Sequence, residues 1–212
     1  MANKIQKEEM KTRSDNFFQL MQTRRSVRHF TNESIPRKVI ENCIRTAATA
    51  PSGANQQPWY FVAVENQEMK HRIRVKAESI EHDFYKNLAP DSWLKALKPI
   101  GTDQHKPFLE TAPYLIVVFV QKYEKTPDGQ KIKHYYPLES VSIAVGLLVA
   151  AIHNAGLGCL TYTPVRMHFL NQLLDRPKSE RPLMILAVGH PDLDFVPLSL
   201  SKKSFDQIAA FK

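Results

Sequence analysis

Apolar residues occur along this chain in two modes. Short unbroken runs, rich in aromatic and β-branched side chains, fall at Trp59–Val64 and Tyr114–Val120, with shorter ones at Gly158–Thr161 and Leu183–Val188. Each reads as a buried strand. Elsewhere the apolar positions take a helical period: Val39, Ile40, Cys43 and Ile44, extended by Ala47 and Ala48, opened by Pro36 and stopped by Pro51-Ser52-Gly53. Ser14 or Asp15 is placed to cap a short helix carrying Phe17, Phe18, Leu20 and Met21, which leaves residues 1–13 as a flexible polar segment. Residues 67–98 read as charged helix interrupted by Pro90, and Met167–Leu174 as a short helix. Leu138–Ala155 is apolar nearly all round, as expected of a helix buried in the core or at a subunit contact, with Asn154 and Gly156 suited to its C-terminal cap. Pro127-Asp128-Gly129 is a turn. No repeat or linker divides the chain. The expected fold class is α+β, a mixed central sheet flanked by helices, as a single domain over residues 14–212.

Composition narrows the function. With 43% hydrophobic and 24% charged residues among 212, the chain is an ordinary globular one rather than a fibre, a coiled coil or a disordered tail. Cys43 and Cys159 are too few for a disulfide framework and have no C-x-x-C spacing, so they read as reduced thiols of a cytoplasmic protein. The histidines carry no metal spacing, so no metal is expected. The longest apolar run, Ile143–Ile152, is about half the ~20 residues that span a bilayer, and the N-terminus has no signal-peptide core. No membrane partner is expected. The net charge of +8 is scattered, without the clustered basic helix or aromatic–basic platform of a nucleic-acid binder. A few arginines holding a small anionic ligand fit it better.

The chain has only seven glycines, and neither G-x-G-x-x-G nor G-x-x-x-x-G-K-[ST] occurs, which argues against a Rossmann or P-loop nucleotide site. Arg24-Arg25-Ser26-Val27-Arg28 offers another way to hold a phosphate, by bidentate guanidinium bonds and a hydroxyl. Ala50-Pro-Ser-Gly-Ala-Asn-Gln-Gln-Pro-Trp59 offers small residues that let backbone approach a flat ring, with amide side chains for its polar edge.

These two motifs, followed by a strand, resemble the flavin-dependent nitroreductase family. The resemblance implies an intertwined homodimer with FMN at the subunit interface. Arg24, Arg25, Ser26, Val27 and Arg28 would contact its phosphate and ring edge, and Pro51, Ser52 and Gly53 would line it from the other subunit. Thr161, Tyr162 and Thr163 match the family's threonine-rich stretch. Tyr162 departs from it and is accommodated if it points away. Lys202 stands where the family has an arginine near the phosphate, a cation without the bidentate fork.

Within the family, Ile44–Ala54, His134–Ala144 and Asn154–Leu157 leading to Thr161–Pro164 resemble the branch that removes halogen reductively from halotyrosines. That resemblance implies a lid over about residues 67–108 and a clamp for the amino-acid zwitterion made of Glu81, Tyr85 and Lys106. It also implies that the Ala54 N–H faces the substrate phenolate, and that a Thr163 hydroxyl facing flavin N5 favours one-electron steps. Glu81 and Tyr85, four apart, share a helix face, and a carboxylate and an ammonium answer the two ends of a zwitterion. The expected activity is therefore dehalogenation of iodo-, bromo- or chlorotyrosine to tyrosine and halide, with NAD(P)H or a partner protein as reductant. The alternative is a general NAD(P)H-dependent nitro- or quinone reductase.

Overall fold

The computed structural model describes residues 5–97, 102–195 and 200–212; residues 98–101 of the expected lid lie outside them. In chain order come α1 (Lys7–Gln22), α2 (Arg37–Ala47), β1 (Trp59–Val64), α3 (Gln67–Asn87), α4 (Asp91–Leu97), α5 (Phe108–Thr111) and β2 (Tyr114–Gln121). Then follow β3 (Tyr123–Lys125), β4 (Lys131–Lys133), α6 (Pro137–Asn154), β5 (Gly158–Tyr162), α7 (Phe169–Leu173) and β6 (Glu180–Gly189).

The apolar runs build one four-stranded sheet in the order β1-β2-β6-β5. Side chains alternate between the faces of a strand, and both faces of β2 are covered, which is why its sequence is apolar without interruption. Ile116, Val118 and Val120 pack with Ile40 and Cys43 of α2 and with Val141, Ala144 and Leu148 of α6. Leu115, Val117 and Phe119 meet Ile73 and Ala77 of α3, Leu109 of α5 and Leu170 of α7 on the other face. The result is three layers, helix on sheet on helix.

All ladders of this sheet are antiparallel, where a mixed sheet was expected; among the described residues parallel pairing survives as a single bridge between Ser26 and Cys159. The first helix begins at Lys7 rather than at Ser14 or Asp15. Glu8 and Glu9 lie at its positive N-terminal end, Arg13 Nε sits 2.7 Å from Glu9 Oε1, and Ser14 Oγ donates to the Lys11 carbonyl instead of capping. A hairpin, β3–β4, brackets the expected turn; its residues are mostly charged and exposed, so no apolar alternation marked it.

α6 is long and apolar enough, by length and composition alone, to cross a membrane. Its inner face instead covers the sheet, while Leu138 and Ile143 point outward at 42% and 48% exposure. α1 has no buried residue and leaves Phe17 and Phe18 more than half exposed. It is tied to α6 by His153, whose Nε2 donates to the Leu20 carbonyl at 2.8 Å.

Candidate functional site

Strand β5 organises the chemistry. At its start, the Val27 N–H donates to the Cys159 carbonyl at 3.1 Å and Ser26 bridges Cys159, so the arginine-bearing segment is laid along the strand. The approach is close: a Cβ at Gly158 would stand 2.7 Å from Val27 Cγ2. Val27 itself is buried and packs into the core. Its side chain therefore cannot reach a ligand, and its N–H is already given to Cys159, so of the expected phosphate set Val27 offers no free donor. Burial pushes the Cys159 thiol up to about 11, with Arg24 pulling the other way, which leaves it a poor nucleophile.

Arg24, Arg25, Ser26, Arg28 and Lys202 line one open cleft of about 650 Å³, floored by Phe18, Met21 and Leu200. Four cationic side chains converge there, and among the described residues no carboxylate lines the cleft. Arg25 has its guanidinium on the Gln22 and Arg24 carbonyls at the end of α1, at 2.6 and 3.0 Å. Such a donor set fits a phosphate.

The other end of β5 enters a second, smaller pocket of about 160 Å³. Thr161, Tyr162 and Thr163 line it together with Glu81, Tyr85, Phe84 and Trp93 of the lid helices, and with Lys106. Arg28 lines both pockets. Glu81 and Lys106 are 7% and 3% exposed, so two charges are taken out of water and have to answer each other. Lys106 Nζ lies 3.5 Å from Glu81 Oε2 and 3.5 Å from Thr102 Oγ1, donates to the Asp103 carbonyl, and stands 5.5 Å from the centre of the Tyr85 ring. Thr161 and Thr163 are exposed while Tyr162 turns inward, as strand alternation requires, and its hydroxyl donates to Glu81 Oε1 at 3.0 Å. Burial, then the Glu81 charge, push the phenols of Tyr162 and Tyr85 up.

A buttress keeps the clamp in place. Glu78, one turn before Glu81 on α3, accepts from the Lys106 backbone N–H at 2.7 Å and from Arg74 Nε at 2.9 Å, and Arg74 reaches on to Glu110 at 3.1 Å. Burial alone would push the Glu78 carboxyl up, but the Lys106 N–H and the Arg74 guanidinium together hold it below the usual carboxylate value.

The loop at 51–58 lines neither pocket within one chain. It is closely hydrogen-bonded nonetheless. Ala54, Asn55 and Gln57 have φ of 50°, 53° and 49°, a left-handed conformation costing non-glycine residues about 1 kcal/mol or more each. Side chains hold it there: Ser52 Oγ accepts from the Gln57 N–H at 2.9 Å, and Gln56 Oε1 from the Tyr135 N–H at 2.7 Å. A Cβ on Gly53 would stand 2.6 Å from the Tyr135 carbonyl oxygen. The N–H groups of Gly53, Asn55, Gln56 and Gln57 are all committed, whereas that of Ala54, on an exposed residue, meets no acceptor among the described residues.

The structure thus brings the expected phosphate residues together at one end of β5, and Glu81, Tyr85, Lys106 and Thr161–Thr163 at the other. Pro51, Ser52, Gly53 and Ala54 stay apart from both. Sequence reasoning did not find the Tyr162–Glu81 bond or the Glu78–Arg74 buttress. The i, i+4 spacing of Arg74 and Glu78 was a visible signal for the latter. Among the described residues no group of three His, Cys, Asp or Glu side chains could hold a metal ion.

The chain belongs to the nitroreductase family, whose model matches residues 21–190. Within that family its similarity is to iodotyrosine deiodinases: 53% identity to that of Haliscomenobacter hydrossis, over 87% of this chain and 83% of that protein. It is 44% identical to human iodotyrosine deiodinase 1, over 97% of this chain and 72% of the human one. A crystal structure of oxidised iodotyrosine deiodinase bound to FMN and 3-iodo-L-tyrosine superposes with a TM-score of 0.79 at 34% identity, covering 92% of this chain and all of that one.

Proposed function

We infer that this chain is an FMN-dependent dehalogenase that converts halotyrosines to tyrosine and halide. The observation that carries the inference is the buried Glu81–Lys106 pair beside Tyr85, a carboxylate and an ammonium a few ångströms apart at the mouth of β5. A zwitterion presents the mirror-image charge pair. Its ammonium suits Glu81 and its carboxylate suits Lys106, so one amino acid can satisfy both buried charges at once.

The cofactor reading rests on the four-cation cleft, whose donors suit the FMN phosphate. Arg24, Arg25, Ser26, Arg28 and Lys202 would hold it. Bound FMN, once reduced, supplies the two electrons that, with a proton, turn a carbon–halogen bond into a carbon–hydrogen bond and free halide. The protein's part is binding and orientation. Thr163, exposed at the end of β5, offers a hydroxyl to the ring edge. The lid aromatics Phe84 and Trp93, edge to face at 5.7 Å, exclude water above the substrate. The uncommitted Ala54 N–H, held by a closely hydrogen-bonded loop, stabilises the phenolate oxygen as an oxyanion hole does.

For the 51–58 loop to meet the two pockets, a second copy has to supply it. The outward apolar faces of α6 and α1 support a homodimer in which each loop reaches the partner's site. Two buried free thiols support a reducing, cytoplasmic setting. The electron donor is NAD(P)H or a reducing partner.

The deciding experiment is single turnover without oxygen. Protein reduced with dithionite and mixed with 3-iodotyrosine should return oxidised flavin and one equivalent of tyrosine. Flavin that stays reduced with iodotyrosine, yet is reoxidised by a nitroaromatic, would make the chain a general nitroreductase.

A further inference from the structure

Glu81 has two carboxylate oxygens, and they are held unequally. Oε1 accepts from the Tyr162 hydroxyl at 3.0 Å, while Oε2 faces Lys106 Nζ at 3.5 Å, beyond the ~2.7–2.9 Å of a charge-assisted hydrogen bond. Lys106 has other company in the Asp103 carbonyl, Thr102 Oγ1 and the faces of Tyr85 and Tyr162, the latter at 5.7 Å. The Lys106–Glu81 contact is therefore the exchangeable one. Tyr162 is fixed: it is buried, on a ladder strand, with its ring edge to face against Phe108 at 5.5 Å. Burial and the adjacent carboxylate keep its phenol protonated, so it remains a donor. A threonine at this position could not span from the strand to α3.

We propose that Tyr162 is a positioning residue for the amino-acid clamp: it holds the Glu81 carboxylate in the orientation that accepts a substrate ammonium, and keeps its bond when the substrate replaces Lys106 as partner. Binding is then an exchange in which Lys106 passes to the substrate carboxylate and neither buried charge is left bare. The same bond joins the lid helix α3 to β5, the strand against which the arginine segment is laid. The proposal rests on the halotyrosine reading above.

The test is Tyr162→Phe in the flavin-loaded protein, which keeps the ring and removes the hydroxyl. Equilibrium binding is measured for 3-iodotyrosine and for 2-iodophenol, which lacks the zwitterion. The expected result is a Kd for iodotyrosine raised about tenfold, with iodophenol changed less than about twofold and flavin retained. In a Glu81→Gln background the same substitution should add less than about twofold, because the two act as one unit. Equal loss for both ligands, or additive losses, overturns the role of Tyr162, since either marks general damage to the pocket. Unchanged iodotyrosine binding in the variant overturns it while leaving the halotyrosine reading intact. A wild-type protein that binds no iodotyrosine overturns both.

Discussion

The two pockets joined by β5 are both lined by charged side chains, and they are built in opposite ways. The arginine cleft is wide, holds four cations and is lined by no carboxylate among the described residues. The clamp pocket is about a quarter of its volume, and its buried cation already has a buried counter-charge. The first is a standing field that attracts a net anion. In the second, Glu81 and Lys106 offset each other and Arg28 at the shared edge is, among the described residues, the one cation left over, so on the halotyrosine reading its discrimination would come from a ligand that carries both charges in the right places. On the proposed function, long-range attraction and short-range discrimination would fall to different ends of one strand.

Arg28, which lines both pockets, is where this division should break most completely. Arg28→Ala is expected to weaken FMN retention by roughly tenfold to a hundredfold, the scale of a lost charge-assisted hydrogen bond, and to weaken halotyrosine binding as well; flavin release and substrate titration on one preparation would show it. Glu81→Gln should separate the pockets, raising the halotyrosine Kd at least about tenfold, near 1.4 kcal/mol, with FMN still bound. Ionic strength should separate them without mutation. Between about 0.05 and 0.5 M salt, FMN affinity should fall several-fold and halotyrosine affinity by less than about twofold, because screening acts on the exposed net charge and little on the buried pair.

Acid probes the clamp's buttress and should have the smallest effect. Glu78 and Glu110 have folded carboxyls below their ordinary value of 4.5: burial pushes both up, but Lys106 N–H and Arg74 outweigh it for Glu78, and His71 and Arg74 for Glu110. In that window the unfolded chain binds more protons than the folded one, so stability rises with pH. Their contribution is complete above about pH 4.5 and is lost as pH falls through the folded values. Thermal unfolding followed from about pH 6 to about pH 3.5 should show the loss, and Arg74→Met should flatten it.

The sheet was largely legible in the sequence because its strands read as apolar runs; β2 is buried on both faces, and β1 lies where the run Trp59–Val64 placed it, as a half-buried edge strand rather than a buried one. The β3–β4 hairpin and the start of α1 were not, since exposed elements owe little to apolar pattern. The clamp shows the opposite failure of pattern. Glu81 and Lys106 sit in segments whose charge reads as solvent-facing, yet both are buried, because each supplies the other's counter-charge across 25 positions of chain. Only the family resemblance drew attention to them. Tyr162 had no local signal at all. Its partner lies on another element, and strand alternation told which way it pointed without telling what it would meet.

The near contact at Gly53 has a consequence for redesign. With Tyr135 backbone 2.6 Å from where any side chain would begin, position 53 admits no other residue unless the start of α6 moves, and α6 covers one face of the sheet. Attempts to widen the range of ring substituents will therefore find the glycine loop closed to variation. They will have to be written into the lid, where Phe84 and Trp93 can be exchanged while the sheet stays still.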